Sequence, residues 1–155
     1  MVRVALIAVS GLVACASTPD PRVEAPSAIT ATTLIDGRCD ALFIDGVGDL
    51  SGACTGLMRI DDHADGGATV TFIAGSATVA FSGSGRTAAV PGGPDYLLVD
   101  RVILTRPGHP PVVWRGEGSC GRSGGPGPQT VRCVILGGGT AEFTTAGTAP
   151  RRMPS

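Results

Sequence analysis

Lysine and asparagine are absent from this 155-residue chain, and all 12 basic residues are arginine. Without asparagine there is no acceptor for N-glycosylation. With 13 acidic residues the net charge is −1, which excludes a polyelectrolyte and leaves no basic surface for nucleic acid. Aromatic residues are scarce at 4%: four Phe, one Trp and one Tyr, so large core anchors are few. Only two histidines, His63 and His109, are available as general bases, and His109 sits in the turn-forming run Arg106-Pro107-Gly108-His109-Pro110-Pro111. What the chain has in quantity is glycine (24) and proline (12), the residues of turns.

The one long apolar run lies at the start. Met1-Val2-Arg3 supplies a positive charge, and Val4 to Val13 is apolar apart from Ser10 and Gly11. As a helix this run rises about 15 Å, half of a hydrocarbon core, and so reads as a signal segment rather than a membrane span. It ends in Leu12-Val13-Ala14-Cys15. These four residues resemble the lipobox of bacterial lipoproteins: a Leu, two small or aliphatic residues and an obligatory Cys. The resemblance implies cleavage before Cys15, a diacylglycerol on its sulfur, and an N-acyl chain in many bacteria; two or three chains anchor stably. Ala16 is not the Asp that retains such proteins at an inner membrane, so the resemblance implies the outer membrane in a Gram-negative cell. Ala14-Cys15-Ala16 also fits ordinary small-x-small cleavage, which would release a chain beginning at Ser17.

The expected organisation is a lipoprotein signal peptide at 1–14, the lipidated Cys15 with a Ser/Thr/Pro/Ala tether over 15–33, a β domain at 34–146 and a disordered tail at 147–155. Removing Cys15 leaves Cys39, Cys54, Cys120 and Cys133, an even set in an exported chain, and hence two disulfides with three possible connectivities. Register arithmetic favours local pairs. Setting Cys39 opposite Cys54 puts a turn at Asp45-Gly46-Val47-Gly48, Phe43 opposite Leu50 and Ala41 opposite Gly52. Setting Cys120 opposite Cys133 centres a turn on Pro126-Gly127.

Around Gly75-Ser76 the pairs Ala74/Ala77, Phe72/Val79 and Val70/Phe81 share a face, with Thr69, Thr71, Thr78 and Ser82 on the other: a half-buried antiparallel hairpin. Asp95 to Thr105 is apolar on both faces apart from Asp100 and Arg101, which strand alternation sends to opposite sides, and it reads as a central strand. No segment carries a capped helical repeat. The fold class expected is all-β, a small antiparallel sandwich or barrel of about eight short strands stapled by disulfides. Gly37-Arg38-Cys39 and Gly118-Ser119-Cys120, each followed downstream by a similar Gly/Ala/Thr strand with Phe72 or Phe143, raise the possibility of a pseudo-twofold duplication.

Motifs for chemistry fail on context. Gly116 to Gly121 matches G-x-G-x-x-G, but Arg-Ser-Gly-Gly-Pro-Gly-Pro follows and cannot form the helix that holds a pyrophosphate. Gly121 to Gly125 matches G-x-S-x-G and lacks the same helix. Asp61, His63 and Asp65 occupy the first half of an EF-hand pattern whose twelfth position is Phe72 instead of Glu, which leaves them a weak metal candidate beside a plain acidic turn. Ser82 to Arg86 (SGSGR) resembles the Ser/Gly-rich loop of membrane-bound lysozyme inhibitors, without the rest of their pattern. Tyr96 and Trp114, with Arg115 as neighbour, are the residues expected to contact a partner. The functional expectation is a non-enzymatic envelope lipoprotein with no cofactor, held to the membrane by its lipid anchor and contacting an envelope protein or cell-wall polymer. The alternatives are a lipocalin-like carrier of a small or lipidic ligand, and an inhibitor of a host hydrolase such as lysozyme.

Overall fold

The computed structural model describes residues 27–88, 95–124 and 126–154. Among them the strands are β1 (Ile29–Ile44), β2 (Gly48–Asp49), β3 (Cys54–His63), β4 (Ala68–Ala74), β5 (Ala77–Gly83), β6 (Gly85–Ala88), β7 (Asp95–Thr105), β8 (Val112–Ser123), β9 (Thr130–Ile135), β10 (Gly139–Thr145) and β11 (Arg151–Pro154). A 3-10 turn at Ser51–Ala53 is the one helical element described. Hydrogen-bonded neighbours run β1-β3-β4-β5-β7-β8-β9-β10, and β10 pairs back onto β1. The result is a closed, antiparallel, eight-stranded up-and-down barrel, the second of the two architectures expected. Closure removes the exposed edges of an open sheet.

Period two builds this wall. The β4–β5 hairpin has the register read from its pattern: Ala74 faces Ala77, Phe72 faces Val79 and Val70 faces Phe81. Phe72, Phe81, Phe143, Leu42, Ile44, Met58, Val79 and Val102 have no exposed surface and fill the interior. The Phe72 and Phe81 rings meet edge to face at 5.8 Å, and Phe143 lies 6.4 Å from Phe72. An eight-stranded barrel is just wide enough for its own side chains to fill, and three wholly buried phenylalanines lie inside this one.

Both disulfides take the local pairing, Cys39–Cys54 and Cys120–Cys133. The second lies in the expected register, Cys120 directly opposite Cys133 across β8 and β9. The first does not sit in a simple hairpin. Phe43 pairs with Asp49 rather than Leu50, and Ser51–Ala53 leaves the strand as a 3-10 turn. The cause is local: the Asp49 carboxylate accepts from the Ser51 N–H and hydroxyl, and the Ser51 Oγ accepts from the Leu42 N–H. The β1 residues past Asp36 turn instead to β10, from Gly37 opposite Thr145 to Ile44 opposite Gly139.

Other expectations change as well. The first strand begins at Ile29, inside the expected tether, and Arg151–Pro154 in the expected tail pair with Ala31 to Leu34 of β1. Asp36 anchors that tail strand through both carboxylate oxygens to Arg151, at 3.0 and 3.2 Å. Asp100 and Arg101 are not on opposite faces: a bulge between Val99 and Arg101 puts them on one side, where they pair at 2.7 Å. The cysteine-bearing pairs β1/β3 and β8/β9 stand five places apart around the eight-strand ring, whereas a twofold requires four, so no pseudo-twofold relates them.

Asp40 is the extra residue of a second bulge, between Cys39 and Ala41 on β1. The Thr144 hydroxyl across the ladder donates to its carboxylate, and Arg38 pairs with it. The Thr144 hydrogen bond is the largest cause of a carboxyl held below its usual range; slight burial opposes it, and Arg38 adds to it. A lowered folded-state pKa contributes stability that is present above the ordinary Asp value and is lost as pH falls through the lowered one. Thr144→Val is therefore expected to move the Asp40 carboxyl titration, followed by NMR, toward the ordinary Asp value. An unchanged titration curve would show that the hydroxyl does not hold it.

Breaking either disulfide as a Cys→Ser pair should lower stability by about 2–4 kcal/mol, since loops of 15 and 13 residues are closed. Urea unfolding without reductant would measure it, and reductant should bring the unmodified protein below both variants.

Candidate functional site

The barrel has two unlike ends. At the entry end lie the start of β1, the loops 64–67 and 126–129, and β11; at the far end lie the loops 45–53, 75–76, 106–111 and 136–138. At the far end Trp114 faces inward opposite Val102 and rests on the core. Among the described residues two depressions lie at the entry end.

The first is the barrel mouth, a space of about 310 Å³ lined by Thr33, Ile60, Asp62, Arg122, Pro150 and Arg152. Arg152 lies 3.8 Å from Asp62 across it. The second is a trough of about 260 Å³ on the outer wall, lined by Tyr96, Ser119, Gly121, Arg122, Ser123, Arg132 and Val134. Arg122 stands on the rim between the two.

Strand registers explain the trough. Tyr96 of β7, Gly121 of β8 and Arg132 of β9 form one lateral row, and Leu98, Ser119 and Val134 form the next. On β8 the outward positions 119, 121 and 123 are Ser, Gly and Ser, so the middle strand is a low floor between taller walls. From Ser119 to Ser123 the floor runs about 13 Å, and two strand spacings make it about 10 Å wide. Gly121 is required here. A Cβ on it would lie 2.5 Å from Cε1 and 2.7 Å from Cδ1 of Tyr96, so the tyrosine ring occupies the space the glycine leaves.

Of the residues expected to contact a partner, only Tyr96 lines this trough. Arg115 lies on the outer face opposite Arg101, and Trp114 points into the core, so the three are not brought together. Arg122 and Arg132 were not singled out from the sequence, although the Cys120–Cys133 register already sets Gly121 opposite Arg132. Gly116 to Gly121 lies wholly inside strand β8, with no helix to receive a pyrophosphate. Cys15 lies outside the described residues.

The acidic segment is divided among other tasks. Asp61 is 2% exposed and bonds Arg59 at 2.8 Å and the Thr32 hydroxyl at 2.7 Å. The His63 Nδ1–H donates to the Ser27 carbonyl at 3.2 Å, leaving Nε2 to accept from the Thr69 hydroxyl at 2.9 Å. The Asp65 carboxylate accepts the Gly67 N–H at 2.9 Å, as a turn residue does. Among the described residues no group of three His, Cys, Asp or Glu side chains is placed to hold a metal ion.

No protein-family model, curated protein or solved structure matches this chain.

Gly121→Ala should displace the ring of the only tyrosine, raising acrylamide quenching of its fluorescence and lowering stability by about 1–3 kcal/mol. Quenching equal to that of the unmodified protein would mean that the ring does not lie over Gly121.

Proposed function

We propose that this protein is an envelope-anchored bacterial lipoprotein whose barrel is a non-catalytic binding module. The observation that carries the reading is the solid interior. With Phe72, Phe81, Phe143, Leu42 and Ile44 wholly buried, the barrel holds its own side chains where a lipocalin-like carrier would hold a ligand. Recognition therefore falls to the outer wall and the mouth, both at the entry end.

Two further observations support the anchored reading. All four cysteines outside the lipobox form disulfides, which persist in an oxidising compartment and not in a reducing cytosol. The Leu12-Val13-Ala14-Cys15 run supplies the acceptor sulfur, and the described chain begins at Ser27 on the entry end, where His63 holds it. Acylation at Cys15 makes the membrane the first partner; an envelope protein or cell-wall polymer is the second. Catalysis is not part of the proposal, because no base, nucleophile and oxyanion donor converge at the trough or the mouth.

The intact mass of the protein from cell membranes, taken without reductant and again after reduction and alkylation, tests this reading. The expected result is a chain starting at Cys15 that carries acyl chains and exposes four alkylatable thiols only after reduction. An unmodified chain starting at Ser17 in the medium would overturn the anchor, and the soluble carrier or hydrolase-inhibitor readings would take its place.

A further inference from the structure

Ion pairing divides the arginines into two groups. Arg38, Arg59, Arg101, Arg151 and Arg152 each pair with an aspartate within 4 Å. Among the described residues Arg106, Arg115, Arg122 and Arg132 pair with no acid, and of these Arg122 and Arg132 line the same trough. Glu142 stands opposite Arg132 across β9 and β10, yet no ion pair forms between them. The trough thus offers the guanidinium of Arg132, with Arg122 on the rim it shares with the mouth, the hydroxyls of Ser119 and Ser123, and the half-buried ring of Tyr96.

From this arrangement we infer that the trough is a binding site for an acidic saccharide. Each part matches one feature of such a ligand. The guanidinium fork takes a carboxylate or phosphate through two parallel hydrogen bonds. The aromatic ring gives an apolar face for the C–H side of a pyranose, while its phenol and the serine hydroxyls meet sugar hydroxyls. The length of the floor, about 13 Å, accommodates two to three sugar units.

An extended acidic peptide fits less well. Peptides add to sheets through main-chain hydrogen bonds at an unpaired edge. The floor strand β8 is paired on both sides, by β7 and β9, so its backbone groups are already used. Only side chains face the ligand here, and they are those that recognise rings, hydroxyls and acid groups.

The inference rests on the reading of the barrel as a binding module and names the ligand class for it. Two sources share the chemistry: wall muropeptides, whose sugars bear a peptide with free carboxylates, and uronic-acid polysaccharides. The test is calorimetric titration of the full-length protein with trigalacturonate, its methyl ester, a wall disaccharide muropeptide, neutral chitotriose and a short poly-glutamate peptide. Tighter binding of the muropeptide or of trigalacturonate identifies the source, and either supports the site.

Binding should weaken about tenfold or more on esterification, and by a similar factor in Arg132→Gln and Arg122→Gln. Tyr96→Ala should weaken it likewise, whereas Tyr96→Phe keeps the ring and should bind nearly as well. Arg106→Gln at the far end should bind as the unmodified protein does, and melting curves would show that each variant is folded. Equal binding of the ester, of chitotriose or of poly-glutamate would overturn the inference, as would an Arg132→Gln variant that binds normally. The two proposals fail separately. An acylated protein that binds none of the saccharides overturns the site and leaves the anchor; an unacylated protein that binds them overturns the anchor and leaves the site.

Discussion

The pairing of β1 with β10 is the contact on which the rest of the barrel depends. It joins the first long strand to the last wall strand, about a hundred residues later, so it closes the barrel and bears a large entropic cost of closure. The 16 residues of β1 are divided to achieve it: Ile29 to Asp36 pair with β3, and Gly37 to Ile44 pair with β10. The changeover falls where Gly37 lets the Phe143 ring approach the backbone, since a Cβ there would lie 2.5 Å from that ring. Asp40 bulges out beside it, tied to Thr144 and Arg38. The Cys39–Cys54 disulfide then ties β1 to the start of β3 at the same point, where backbone pairing between the two strands has lapsed.

A second constraint is the small supply of large side chains. Three of the four phenylalanines occupy the barrel axis, and the fourth, Phe43, is 45% exposed. The rest of the core is aliphatic residues, Ala and cystine, which fill volume only if strands approach closely. Glycine makes that approach possible. At Gly83 a Cβ would sit 1.6 Å from the Leu98 carbonyl oxygen, so β5 and β7 meet there only because no side chain exists. The high glycine content thus has a structural use beyond turns.

Local features were open to reading from the sequence, and features that depend on distant strands were not. The β4–β5 hairpin and the Cys120–Cys133 register follow from alternation and turn residues within about fifteen positions of one another. The division of β1 does not, because its second partner is about a hundred residues away. The bulge at Asp100 has a related cause: strict alternation predicts opposite faces, and the place of the extra residue is set by the register of β7 against β8. The trough lies between these cases. Its Gly121/Arg132 half was available from the cystine register, while its Tyr96 half requires the β7–β8 register, set across the Pro- and Gly-rich loop 106–111.

Closure and solidity together decide where recognition can occur. A closed barrel offers almost no backbone hydrogen bonds to a partner, and a filled one offers no interior. What remains is the outer face, where most strands carry Thr, Ser or paired charges that are already satisfied within the protein: Asp61 with Arg59 and Thr32, Asp100 with Arg101, His63 with Thr69. The β7–β8–β9 wall departs from that pattern. Its middle strand lacks bulk at Ser119, Gly121 and Ser123, the Tyr96 ring lies across the gap, and Arg122 and Arg132 form no ion pair. Five other arginines of the chain pair with an aspartate, whereas Arg122 and Arg132 form no ion pair, although Glu142 stands opposite Arg132. Forming no ion pair of their own, Arg132 in the trough and Arg122 on its rim forgo a modest amount of stability, on the order of a surface ion pair each, and remain available to a ligand.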